Sequence, residues 1–374
     1  MSADAADFSL LPVAFADLEG WQGDDPSALF AALRDCRAHV RATKPYRPGS
    51  LGLTTEDLMP LLDAAEGFTP ADAAAARQFF ETHCQPFAIR LAENRRGFVT
   101  GFYEPEVDVA AAPDEVWRYP FYRRPSDLID VDDTNRPADM PADYRFGLLK
   151  PDGSIGLYPD REAVDRGALQ GRGLEIAWAK SKVDVFFAHV QGAARLVYPD
   201  GSMRRITYAA KAGHLFSGIG RRLIDLGEIE AAAVSMQTIR AWLAANPDRV
   251  DEILWTNRSY IFFREADVAD DNAGPVAAAK VPLVAGRSLA VDRMIHTFGF
   301  PFFVSAPTLT HLDQGQPFRR LLLALDTGSA IIGPARGDIF TGSGFDAGQM
   351  AGTIKNAADF TILIPKAAAQ RFLK

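Results

Sequence analysis

The chain has 374 residues, enough for two domains with a sizeable core. Its composition, 48% apolar and 24% charged with 30 glycines and 24 prolines, is that of an ordinary globular protein and excludes a disordered or fibrous one. A formal net charge of −8 argues against gripping a phosphate backbone, so no nucleic-acid partner is expected.

The start, MSADAADFSLLPVAF, has no basic segment and no apolar run long enough for a signal peptide or a membrane span. The protein is therefore either cytosolic or directed by a segment outside this chain. No cysteine near the start would accept a lipid. Over residues 24–43, Asp-Asp-Pro-Ser opens a helix whose inner face carries Leu29, Leu33, Cys36 and Val40 at helical steps. A second helix opens at Thr69-Pro70-Ala71-Asp72, buries Ala76, Phe79, Phe80 and Cys84, and ends at Pro86. Phe98–Val99 and Phe102–Tyr103 read as strand interrupted by Gly101.

Between about 106 and 230, prolines and glycines punctuate short apolar or aromatic runs, which predicts a mostly β region. The runs are Tyr119–Tyr122, Phe146–Leu149, Leu174–Trp178, Val183–Val190 and Leu196–Tyr198. Val234, Ile239, Trp242 and Leu243 then mark a helix closed by Asn246-Pro247, and Ser259–Arg264 is a further strand. An Asp- and Ala-rich linker is expected over 266–279. A second β-rich region follows, with runs at Val281–Leu283, Ser288–Val291, Pro301–Val304, Leu321–Leu325, Ile331–Ile332 and Phe360–Ile364.

The most informative stretch lies in that last region. The apolar run Leu321–Leu325 ends abruptly in Asp326 and is followed by the small residues Thr327, Gly328, Ser329 and Ala330. A second carboxylate, Asp338, follows Gly337 and precedes Ile339–Phe340 and a Gly-Ser-Gly. An acid at the mouth of a buried strand, among residues too small to fill space, leaves room for a ligand, and two acids so placed suggest acid–base chemistry. Asp326-Thr327-Gly328 is also the local signature of an aspartic protease, which with one such loop per chain would need a homodimer. Thr100-Gly101-Phe102-Tyr103-Glu104-Pro105 combines aromatics, a glycine and an acid in a way that suits a sugar ring, although from this motif alone a strand edge with core aromatics is the favoured reading. Cys36 and Cys84 are either two buried thiols or a disulfide between helices. Six scattered histidines show no metal-ligand spacing, so no metal is expected.

In order along the chain, these segments resemble the membrane-bound lytic murein transglycosylase A family. The resemblance is carried by TGFYEP at 100–105, YPFYRRPSDL at 119–128, GRGLEIAW at 171–178, VDVFFAHVQG at 183–192, YAAKAGH at 208–214 and SGIGRRLI at 217–224. It continues through IRAWLAANP at 239–247, SYIFFR at 259–264, VPLVAGRSLAVDR at 281–293 and the Asp326–Gly344 block. The last two resemble that family's three-aspartate domain.

The resemblance implies a mainly β protein with N-terminal helices. A double-psi β-barrel domain would be made from residues 1–105 with 266–374, a second β domain of residues 106–265 would be inserted in it, and a substrate groove would lie between them. It implies cleavage of the β-1,4 bond between N-acetylmuramic acid and N-acetylglucosamine in peptidoglycan glycan strands, leaving a 1,6-anhydro end, without metal or cofactor. Asp338 matches the family's catalytic acid, Asp326 its second aspartate and Asp292 its third. Burial against Ile339–Phe340 and the like charge of Asp326 would keep Asp338 protonated. Thr100, Gly101, Tyr103, Glu104, Gln191, Lys211 and Asp292 are the expected substrate-binding residues. Ala193, Ala194, Ala212 and Thr341 stand where the family usually carries other residues. A monomer in the periplasm is implied, associated with the outer membrane through a segment outside this chain. A wall-binding protein without turnover is the non-enzymatic alternative.

Overall fold

The computed structural model describes residues 8–266 and 273–373. The expected linker at 266–279 lies outside the described residues over 267–272. The chain forms two compact units, one of residues 1–103 with 270–374 and the other of residues 104–269.

The first unit opens with three helices: α1 (Leu29–Ala42), α2 (Thr55–Glu66) and α3 (Ala73–His83). Asp25 caps the turn before α1, and Asp72 caps α3 by accepting from the Ala75 amide. Helix α2 was not among the expected elements, although Leu58, Leu61, Leu62 and Ala65 recur at helical steps. Its start is a reciprocal capping box between Thr54 and Asp57. Leu29, Leu33 and Cys36 of α1 and Leu58, Leu61 and Leu62 of α2 all enter one core. Helix α3, expected to end at Pro86, stops at His83. Cys84 begins a strand, and the free, buried thiols of Cys36 and Cys84 form no disulfide.

Eight strands follow the helices or flank them: β1 (Phe8–Pro12), β2 (Cys84–Leu91), β3 (Gly97–Glu104), β4 (Ser288–Val291), β5 (Pro301–Ala306), β6 (Phe318–Asp326), β7 (Arg336–Ser343) and β8 (Lys355–Pro365). Their order is β1-β2-β8-β5-β6-β4-β7-β3, and β3 pairs back onto β8. Strand β8 can serve several neighbours because it is 11 residues long. Lys355–Ala358 meets Gly97–Thr100, while Thr361–Pro365 meets Cys84–Ala88. The pairing thus closes a ring of six strands, which leaves those strands no open edge. Leu321 to Leu325 are all fully buried, the pattern of a strand covered on both faces. Gly101 does not interrupt β3. Its missing side chain lets the end of helix α4 (Gly344–Ala351) pack close, since a Cβ there would lie 2.8 Å from Ala351 Cα.

The second unit holds a six-stranded sheet in the order Ile261–Ala266, Met203–Lys211, Ala193–Val197, Glu106–Ala110, Glu175–Ala179, Tyr119–Tyr122. A three-stranded sheet is built from Leu128–Asp130, Phe146–Leu149 and Ile155–Gly156. The run Val183–Val190, expected as strand, is a helix, Lys182–Gln191. Eight apolar-rich residues fit either a buried strand or a buried helix. The Ser181 hydroxyl, accepting from the Asp184 amide, starts the helical one. Two short runs of the first unit are also not strands. Val281–Leu283 contributes one isolated bridge, Val276 to Pro282, and Ile331–Ile332 sits in a loop with Ile332 70% exposed.

Candidate active site

Three adjacent strands of the first unit bring the two acids of the central stretch together. Ala290 on β4 pairs with Asp326 on β6 on one side and with Asp338 on β7 on the other. The β4–β6 register shifts between Leu289 and Ala290, a bulge that skips Leu325 and puts Asp326 opposite Ala290. The backbones of the two acids therefore lie two strand spacings, or about 10 Å, apart. Both residues are half-buried.

Asp338 accepts a 2.5 Å hydrogen bond at Oδ1 from the Thr100 hydroxyl on β3. Arg336, two residues earlier on the same strand face, donates to that same hydroxyl at 2.7 Å. It also donates to the Gly337 carbonyl, and its guanidinium stands 5.5 Å from the Phe98 ring centroid. Burial raises the Asp338 carboxyl above its ordinary value, opposed by the Thr100 hydrogen bond and then by the Arg336 charge. The two carboxyls repel each other, and that repulsion favours a proton on the pair. Asp326 is the partner whose shift includes the other acid. Burial first, and then the Asp338 charge, lift Asp326 to about 6 against the amides of Thr327 and Ala278 and the charge of Lys280. Asp326 accepts from the Ala278 amide at 3.2 Å.

The remaining expected residues occupy varied places. Asp292 is buried with both oxygens occupied, accepting from the amides of Met294 (2.9 Å) and Gly333 (2.8 Å). It thereby ties the turn after β4 to the loop before β7, and His296 repeats the tie through Nε2 and the Pro334 carbonyl at 2.8 Å. Tyr103 is buried with its ring against α4, where a Cβ on Gly348 would lie 2.7 Å from Tyr103 Cε2. Thr341 sits 3.0 Å from the Phe102 carbonyl and 2.8 Å from the Ala347 carbonyl, which links β7, β3 and α4.

Glu104, Gln191 and Lys211 belong to the second unit. Glu104 is fully buried, held by Arg205 (2.5 and 2.9 Å) and Arg195 (3.0 Å). This corrects its expected role in substrate binding, for it presents no surface to a ligand. Gln191 ends its helix ahead of the left-handed Gly192, and Lys211 ends its strand, partly buried, with its ammonium lowered by that burial. Sequence reasoning missed Arg336 and Ala290. Arg336 was discoverable from its i−2 position to Asp338, whereas Ala290 emerges only from the register of three strands distant in sequence. Among the described residues, no three or more His, Cys, Asp or Glu come together to hold a metal ion.

A family model described as the MltA specific insert domain matches residues 98–264, and one described as the 3D domain matches residues 287–364. The crystal structure of a membrane-bound lytic murein transglycosylase from Agrobacterium tumefaciens is similar with a TM-score of 0.93 at 62% identity, over 97% of this chain and 99% of that one. The chain belongs to the membrane-bound lytic murein transglycosylase A family. A curated member from Escherichia coli (strain K12) is 33% identical over 258 residues, a match that covers 68% of this chain and 61% of that relative's length. The structure of E. coli MltA with bound chitohexaose is similar at a TM-score of 0.65 and 26% identity, over 96% of this chain and 94% of that one. No helix among the described residues of this family member is long and apolar enough to cross a membrane.

Proposed function

We propose that the chain is a peptidoglycan lytic transglycosylase that cleaves the β-1,4 bond between N-acetylmuramic acid and N-acetylglucosamine and leaves a 1,6-anhydro end. The observation that carries this reading is Asp338, a half-buried residue whose carboxyl pKa is raised by burial and which is fixed at one oxygen by Thr100. As the neutral acid it protonates the leaving glycosidic oxygen. As the resulting carboxylate it takes the proton of the muramyl C6 hydroxyl while that oxygen attacks C1. The nucleophile belongs to the substrate, so the second catalytic carboxylate of ordinary glycosidases is not required. Asp326 lies across Ala290 from this acid and tunes its surroundings without itself transferring the proton. Asp292 fixes the loops on either side of the site.

The six-strand ring, with β4 parallel to β6 and antiparallel to β7, supports reading the first unit as a double-psi barrel. The chitohexaose bound to the E. coli relative supports a β-1,4-linked glycan as substrate class. We read the cellular setting as the periplasm, where such glycan is found. The aspartic-protease alternative is set aside, since the acid that neighbours Asp326 is Asp338 of the same chain and brings no second Asp-Thr-Gly loop.

The test is digestion of purified peptidoglycan sacculi with mass analysis of the soluble products. Anhydromuropeptides, lighter by one water than products of hydrolysis, are expected. Reducing-end sugars would reassign the protein as a hydrolase, and binding without release would make it a glycan-binding module.

A further inference from the structure

We propose that Arg336 is a positioning residue for the acid: it holds the Thr100 hydroxyl with its proton on Asp338 Oδ1, which leaves Oδ2 as the oxygen that carries the transferable proton. This rests on the reading of Asp338 as the acid and adds to it a residue outside the expected site set. A hydroxyl has one proton to give and two lone pairs to accept with, and a guanidinium can only donate. The 2.7 Å contact from Arg336 Nη2 therefore fills a lone pair of Thr100 Oγ1 and turns its proton toward Asp338 Oδ1, 2.5 Å away. Were Asp338 protonated on Oδ1 instead, Thr100 would accept from both sides, and its own proton would have no acceptor among the hydrogen bonds of the described residues. A neutral carboxyl carries one O–H. With Oδ1 committed as acceptor, that O–H is on Oδ2.

Arg336 is itself held, by the carbonyl of Gly337 and by its approach to the Phe98 ring. It has no hydrogen bond of its own to Asp338 and acts through Thr100, with its charge also favouring the carboxylate that must form after proton transfer. Fixing the proton on one oxygen spares the search between two, the kind of pre-orientation that speeds transfer without improving substrate binding.

The test compares Arg336→Met, Arg336→Lys, Thr100→Val and the double variant Arg336→Met/Thr100→Val for release of anhydro ends across pH. In parallel, the carboxyl carbon-13 resonance of Asp338 is titrated, assigned by its absence in Asp338→Asn. Arg336→Met is expected to lower kcat about tenfold with KM changed less than about twofold, and to move the basic limb of the profile to higher pH. Arg336→Lys, which keeps a charged donor, should recover most of kcat. The double variant should be slower than Thr100→Val alone by clearly less than the tenfold of Arg336→Met, because the share of the effect that runs through the hydroxyl is already lost and only the charge remains. An Arg336→Met variant that alters KM alone, or whose loss multiplies with that of Thr100→Val, would overturn the proposal. So would an Asp338 titration that is the same with and without Arg336. A wild-type protein that releases no anhydro ends counts against the transglycosylase reading instead, and the titration then decides the hydrogen-bond chain by itself.

Discussion

Glu104 provides a sharp test of how this chain is built. Its carboxylate, with no exposed surface, meets Arg205 through two hydrogen bonds and Arg195 through a third, and Arg205 is itself 6% exposed. Replacing Glu104 by Ala leaves two guanidiniums facing one another without the charge between them. Removing one member of a buried ion pair costs about 3–5 kcal/mol, a large fraction of the roughly 5–15 kcal/mol that stabilises a typical domain. Replacing all three members by apolar residues of similar size (Glu104→Leu with Arg195→Met and Arg205→Met) should recover stability to within about 2 kcal/mol of the parent, because the desolvation of all three charges is relieved together. Urea unfolding followed by tryptophan fluorescence is a suitable assay, since Trp117, Trp178, Trp242 and Trp255 all lie in the second unit and only Trp21 lies in the first. A loss below about 1 kcal/mol for Glu104→Ala, accompanied by lost glycan binding, would refute the structural role and restore Glu104 to the substrate site.

Two further outcomes follow from the first unit. Asp326 is held at about 6 against an ordinary 3.8, so the folded state keeps a proton that the unfolded chain releases. Its contribution is fully present below pH 4 and is lost as pH rises through about 6. Asp326→Asn should therefore stabilise the protein by up to about 3 kcal/mol at pH 8 and by almost nothing at pH 3.5, measured by denaturant unfolding at both pH values. A pH-independent effect would contradict the burial argument. Gly348→Ala gains helix propensity but drives a methyl to 2.7 Å from the Tyr103 ring, so a net loss of about 1–2 kcal/mol is expected. Adding Tyr103→Leu should reverse most of that loss in thermal unfolding, and a stabilised single variant would show that Tyr103 is not packed there.

Local signals carried more of this molecule than long-range ones. The end of β6 at Asp326 was readable because five consecutive apolar residues, buried on both faces, stop at a charge. Tyr119–Tyr122 and Ser288–Val291 were readable from apolar runs between breakers. Val183–Val190 was misjudged because a short apolar run has no period to distinguish helix from strand, and its Ser181 cap is a one-residue signal. Helix α2 was missed because Pro60 sits inside it and masks a capping box that begins six residues earlier. The surroundings of Glu104 and Tyr103 were hidden for a common reason. An acid and an aromatic on a strand look alike from the sequence whether they face a ligand or a partner, and the partners Arg205 and Gly348 lie far along the chain. The facing of Asp326 and Asp338 across Ala290 depends on the register of three strands, one pair of them parallel, which no local pattern encodes.

The measurement that tests the account most directly is the behaviour of Asp338→Asn on sacculi. Asparagine keeps the size and the acceptor for Thr100 but cannot supply a proton. Release of anhydromuropeptides is expected to fall by at least about a thousandfold while sedimentation with insoluble peptidoglycan and the melting temperature stay near those of the parent. Near-full release by a folded Asp338→Asn protein would contradict it.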